Sequence, residues 1–131
     1  MKKTGILNRD ISEVVASLGH MDTIVIADAG LPIPPETQRI DLALTKGIPT
    51  FLDTLRAVLV EMHVEKAIVA EEMLEVSPKV HEAIKEMLRD VPIETVTHLI
   101  FKEQTRSARA VIRTGEFTPY ANVILVSGVI F

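Results

Sequence analysis

Proton chemistry in this 131-residue chain has few carriers: four histidines, one tyrosine, and the acids and amides around them. His20 follows Gly19 and precedes the apolar run Thr23–Ala27, which stops at Asp28. Histidine titrates nearest neutrality, so it can give and take a proton within one reaction cycle. If 23–27 is a strand of about five rises of ~3.3 Å, His20 lies near its start and Asp28 at its far end. The two are not expected to touch within one subunit unless the chain doubles back after Gly19. Two readings stay open. The pair serves different parts of a site, across a subunit boundary. Or His20 caps a helix C-terminus, where a cation is favoured, and Asp28 merely starts a turn.

The other candidates carry similar alternatives. His98, in Thr-His-Leu-Ile-Phe, falls late in an expected strand, where a histidine is a core residue more often than a catalyst. His63 and His81 read as structural or solvated. Tyr120 lies in Thr-Pro-Tyr-Ala-Asn, with Asn122 two residues on. On a strand the two would share a face, and a phenol beside an amide suits sugar-like hydroxyls. A plain turn at a strand start fits equally. Lys102, Arg106, Arg109 and Arg113 are spaced 4, 3 and 4, as on one helix face. That stripe could meet a phosphate or an acidic neighbour, but Glu103 and Glu116 nearby favour a solvated face.

Other chemistries lack their parts. The histidines are scattered, with no HxH, HxxxH or HExxH spacing, and there is no cysteine, so no metal site is expected. There is no GxGxxG, GxxxxGK[ST] or GxSxG. An enzyme with this inventory would work without a cofactor, by proton transfer.

The elements that must position these residues alternate. Asp10-Ile-Ser-Glu13 reads as a capping-box start, with Ile11, Val14, Val15 and Leu18 as a helix face and Gly19 as its stop. Thr23–Ala27 reads as a buried strand. Residues 39–44 alternate like a half-buried or edge strand. Thr50 and Asp53 form a capping box for a helix through Met62. Residues 66–70 read as a strand, and Ser77-Pro78 caps and opens a helix reaching Leu88. Residues 92–100 read as a strand, 102–115 as a helix stopped by Gly115, and 122–131 as a strand broken or bulged at Gly128. The alternation predicts an α/β fold. It would be three-layered α/β/α with a mostly parallel or mixed sheet, in a single domain over 1–131. Ligands in such folds sit beyond the carboxyl ends of strands.

Composition bounds the setting. A formal charge of −4 leaves no electrostatic footprint for nucleic acid. The N-terminal Met-Lys-Lys-Thr-Gly lacks the apolar stretch of a signal peptide, and no run is long enough to span a membrane. Absence of cysteine fits a reducing cytosol. Hydrophobic residues make up 47% of the chain, only 4% are aromatic, and mean hydropathy is +0.28. With the apolar ending Val-Ile-Leu-Val-Ser-Gly-Val-Ile-Phe, this favours burial of surface against other subunits over an unusually apolar monomer.

Taken together, Gly19-His20, Asp28-Ala-Gly-Leu-Pro-Ile-Pro, Thr97-His98, Phe101-Lys-Glu, Arg113-Thr-Gly-Glu and Tyr120-Ala-Asn122 resemble the sugar-mutarotase family of ribose pyranase and fucose mutarotase. The resemblance spans nearly the whole chain, and its GHxDxIxIxDxGxPxP segment is specific. His98 and Tyr120-Ala-Asn122 point to the D-ribose pyranase branch. The resemblance implies an isomerase that interconverts β-D-ribopyranose and β-D-ribofuranose of the free pentose without a cofactor, feeding ribose catabolism. It implies a cytoplasmic homodecamer of two stacked pentameric rings with sites at subunit boundaries. His20 would be the general acid, and Asp28, His98, Tyr120, Ala121 and Asn122 would hold the sugar. The rival from another class is a non-catalytic sugar-binding or transport-accessory module. His20 discriminates, because recognition alone needs no titrating group beside the anomeric centre.

Overall fold

A computed structural model describes residues 1–131. In chain order the elements are α1 (Arg9–Ser17), β1 (Thr23–Ala27), β2 (Arg39–Asp41), α2 (Phe51–Glu61), β3 (Val64–Ala70), α3 (Glu72–Val76), α4 (Pro78–Met87), β4 (Ile93–Val96) and α5 (His98–Gln104). A single 3₁₀ turn (Thr105–Ser107), β5 (Ala110–Arg113) and β6 (Val123–Ser127) follow.

The strands make one six-stranded sheet in the order β2-β5-β1-β6-β3-β4. It is mixed: β6 runs antiparallel to both β1 and β3, and the remaining pairs are parallel. Short β-branched strands such as Thr-Ile-Val-Ile-Ala, apolar at both parities, need both faces covered. Alternation along each strand decides which side chain goes to which face. Ile24 and Ile26 of β1, Ile112 of β5 and Leu125 of β6 join Ile11, Leu55 and Ile84 from α1, α2 and α4 on one side. Val25, Val111 and Ile124 face the other side, where Phe101 of α5 covers them. The expected α/β architecture with a mixed sheet is what forms, with one thick helical layer and one thin one.

Thr50 caps α2 as its spacing requires, its hydroxyl accepting from Asp53 N–H at 3.1 Å. Elsewhere local chemistry displaces the sequence expectations. The cap of α1 is Asn8, whose side chain accepts from Ile11 N–H, so Asp10 is only a first-turn acid. The helix ends at Ser17, with Leu18 already extended. β2 is indeed an edge strand but stops at Asp41, so Leu42 and Leu44 do not extend it. Ser77 makes no side-chain cap; its hydroxyl donates to the Pro119 carbonyl instead.

The strand expected over 92–100 ends at Val96, because Thr97 turns the chain into α5, its hydroxyl accepting from Ile100 N–H. His98 is therefore the first residue of a helix, not a late strand residue. The helix expected over 102–115 ends at Gln104, and residues 110–113 form the buried strand β5. A run of Ala, Val and Ile covered on both faces has no strand alternation to betray it. The spacing of Lys102, Arg106, Arg109 and Arg113 is consequently not a helical stripe. β6 ends at Ser127, one residue before Gly128.

Candidate active site

The parallel strands β1, β4 and β5 end on the same edge of the sheet from which antiparallel β6 begins. A cleft of about 550 Å³ opens there, lined by Asp28, His98, Arg113, Glu116, Phe117 and Tyr120, with the 29–32 loop. Each side chain arrives directly from an element end. Asp28 follows β1, Arg113 closes β5, His98 opens α5 after β4, and Tyr120 lies in the turn before β6.

Asp28 is held from three directions. Its Oδ1 accepts from Gly30 N–H at 2.9 Å and Leu31 N–H at 2.8 Å, and its Oδ2 accepts from Asn122 Nδ2 at 3.1 Å. Asn122 Oδ1 in turn accepts from Asp28 N–H at 2.7 Å. A carboxylate has about four lone-pair directions, so one remains toward the cleft. Asn122 itself is only 1% exposed. It does not share a strand face with Tyr120, because β6 begins at Val123 and Tyr120 adopts a left-handed backbone with φ 61°. The expected phenol–amide pair is thus divided: Tyr120 lines the cleft, and Asn122 fixes Asp28 from beneath. Ala121 is wholly buried in the core and is not among the residues that line the cleft.

His98 is fixed at both backbone and ring. Its N–H donates to the Glu72 carboxylate at 3.0 and 3.1 Å. Its ring stands edge-on to Tyr120, with centroids 5.0 Å apart and planes at 84°, and lies nearly parallel to Phe101 at 6.3 Å. Burial, aided by the Lys102 charge, holds the imidazole below its ordinary pKa, against the opposing pull of Glu72 and Asp28. At neutral pH the ring is therefore uncharged. Its Nδ1 is buried with no partner in the protein, and a buried polar atom left unpaired is costly.

Two cleft residues, Arg113 and Glu116, read in the sequence only as parts of a solvated helix face. Arg113 donates from Nε to the Ala29 carbonyl at 3.0 Å and from Nη1 to both Asp41 oxygens at 3.1 and 3.2 Å, so it braces the 28–31 loop. Glu116 accepts from Phe51 N–H at 3.0 Å and from the Thr118 hydroxyl at 2.8 Å. Burial alone would push its pKa up, but these bonds and those from the Thr118 and Phe117 N–H groups hold it below the usual carboxylate value. The signal for both was the Arg113-Thr-Gly-Glu motif, whose structural role was hidden by the helical reading of 102–115. No three His, Asp or Glu side chains converge to hold a metal ion.

His20 is at the opposite edge of the sheet. It sits in the turn between α1 and β1, where Met21 N–H donates to Ser127 O at the end of β6. Its side chain is 54% exposed, and Nε2 lies 3.0 and 3.2 Å from the two Glu65 oxygens. The structure thus gathers Asp28, His98 and Tyr120 around one cleft, with Asn122 behind, and leaves His20 outside it by the length of β1. His63 and His81 lie away from the cleft lining.

The RbsD / FucU transport protein family matches residues 1–130. A D-ribose pyranase of Geobacillus thermodenitrificans is 60% identical over 131 residues, covering 100% of this chain and 99% of the relative. A D-ribose pyranase of Chloroflexus aggregans is 57% identical over the full length of both chains. Among solved structures, Bacillus subtilis RbsD complexed with D-ribose superposes with a TM-score of 0.97 at 49% identity, each chain covered completely.

Proposed function

The chain belongs to the RbsD / FucU family, and on that premise we propose that it is a D-ribose pyranase. It is an isomerase that interconverts the pyranose and furanose rings of free D-ribose by cofactor-free acid–base ring opening. The observation that carries this reading is the convergence of Asp28, an uncharged His98 and Tyr120 on one cleft at the carboxyl ends of the parallel strands. Such neutral or singly available groups grip hydroxyls one at a time, without the charged clamp that would prevent a sugar from turning.

The chemistry is undemanding. Opening breaks C1–O5: O5 gains a proton and O1 loses one as the aldehyde forms. Rotation then brings O4 to C1, O4 loses its proton, and O1 regains one. The cycle balances with no net acid or base consumed. Histidine suits both halves, and a positioned acid or base contributes roughly 10²–10⁴-fold. His20 is the proposed general acid. Asp28, His98 and Tyr120 hold the sugar, while the buried Ala121 and Asn122 support it from behind, Asn122 through Asp28.

His20 reaches a cleft only if it is a neighbour's cleft. Exposed apolar side chains support a subunit boundary at both edges of the sheet: Leu99 at 70% and Phe117 at 61% beside the cleft, and Met21 at 58% beside His20. Side chains of this size are buried more often than not. A homodecamer of two stacked pentameric rings, working in the cytoplasm, is the assembly and setting we propose. Enclosure between subunits would also keep the aldehyde from escaping.

Saturation transfer between the pyranose and furanose C1 signals of D-ribose tests the activity. Wild-type protein is expected to accelerate the exchange and His20→Ala to lose the acceleration. Saturable ribose binding with unaltered exchange would instead establish a sugar-binding module.

A further inference from the structure

We infer that Glu65 is a positioning residue for His20, fixing which ring nitrogen transfers the proton; this rests on His20 being the general acid. Three independent features converge on Glu65.

The first is the bond itself. His20 Nε2 faces both Glu65 oxygens at 3.0 and 3.2 Å. Which nitrogen of an imidazole is free to act is set by the partner of the other. With Nε2–H held by a carboxylate, Nδ1 is the nitrogen left to meet a sugar oxygen. After Nδ1 gives its proton to O5, the neutral ring retains Nε2–H, still satisfied by Glu65.

The second is a β-bulge. Val64 pairs with Ser127 and Lys66 with Val126, so two steps along β3 oppose one along β6. Glu65 is the extra residue. Ala67 and Val69 point into the α1/α2/α4 core, and strict alternation would send Glu65 there too and Val64 away. The bulge reverses this: Val64 joins that core, and Glu65 turns out to His20. Bulges re-aim side chains in this way, often beside active sites.

The third is Gly128. A Cβ there would sit 3.0 Å from Glu65 Cβ and 3.2 Å from its Oε2, and 2.8 Å from His63 Cδ2. The absent side chain leaves room for the carboxylate. The turn bearing His20 is equally fixed. Gly19 N–H donates to Asp22 Oδ2 at 2.8 Å, and Ser127 N–H donates to Asp22 O at 2.8 Å. Asp22 is otherwise engaged with Arg109 at 3.9 Å, which leaves Glu65 as the carboxylate on the imidazole.

The test pairs ¹⁵N NMR of the His20 ring with exchange kinetics in the assembled protein. In wild type, the neutral ring is expected to carry its proton on Nε2. In Glu65→Ala that preference is lost, and ribose exchange slows about ten-fold or more, a share of what a positioned acid contributes. Half-saturation by ribose changes less than about two-fold, because Glu65 acts through the His20 ring and does not itself hold the sugar. Glu65→Leu, which keeps much of the bulk but offers Nε2–H no acceptor, is expected to slow exchange in the same way and serves if the alanine variant does not fold. An unaltered tautomer, or unaltered exchange in both Glu65 variants while His20→Ala is inactive, overturns the inference alone. Full exchange in His20→Ala overturns the acid assignment and this inference with it.

Discussion

Asp28 and Asn122 hold each other by two hydrogen bonds running in opposite directions: the Asp28 N–H to Asn122 Oδ1 at 2.7 Å, and Asn122 Nδ2 to Asp28 Oδ2 at 3.1 Å. The closed pair joins the end of β1 to the start of β6. It aims a carboxylate into the cleft while hiding the amide that aims it.

Asn122→Ala is therefore expected to act on both stability and binding. It leaves the Asp28 N–H and one carboxylate oxygen without partners, at a cost of about 1–3 kcal/mol. Urea unfolding checks the stability. Calorimetric titration with ribose is expected to show an affinity loss of roughly ten-fold, about 1.4 kcal/mol. Unaltered affinity would mean that Asp28 keeps its aim without the amide.

His98 is expected to titrate below the ordinary histidine value of 6.5, because burial and then Lys102 disfavour its charged form. The sign of the stability effect follows from linkage. The unfolded chain binds a proton at higher pH than the folded one, so stability falls as pH drops from about 6.5 through the folded pKa, and this contribution is constant above. Imidazole C2–H shifts followed against pH check the titration. A midpoint at or above 6.5 would contradict the desolvated, neutral ring. Ribose binding is expected to weaken over the same acid range, as protonation leaves the ring with no acceptor nitrogen.

Gly115→Ala is expected to disturb the cleft without touching it. A Cβ at 115 would lie 2.5 Å from the Thr45 and Ile48 carbonyl oxygens and 2.8 Å from Ile48 N, all backbone. Forced overpacking costs typically about 1–3 kcal/mol. The displaced segment lies between Arg113 and Glu116, so thermal unfolding and ribose binding should both worsen. A variant as stable as wild type would show that the 45–48 turn moves freely.

Gly115 also shows where the sequence was legible and where it was not. As a helix stop it was plausible; its actual role is a close approach between segments far apart in the chain, which local pattern cannot reveal. Elements with a cap or a clear period, such as Thr50 with α2 and the β1 run, were readable because their causes are local. β5 was not, because four residues buried on both faces have no alternation. His98 falls in the expected strand because Val and Thr content outweighs Thr97 as a cap. Asp28, His98 and Tyr120 are candidates in the sequence, each with a structural alternative, and the fold brings them to one cleft. That Asn122 faces Asp28 and not the cleft is a tertiary fact with no sequence signature. The separation of His20 from Asp28 was readable, since five residues of strand are rigid and about 16 Å long.

That separation makes a mixed-assembly experiment the most direct test of the central claim, a site shared between two subunits. His20→Ala and Asp28→Ala chains are each expected to be inactive. Co-assembled at random in equal amounts, half the clefts carry Asp28 and half of their neighbours supply His20, so about a quarter of wild-type ribose exchange should return. Exchange no greater than that of the two variants assembled separately would contradict it, since it would require both residues to act within one chain.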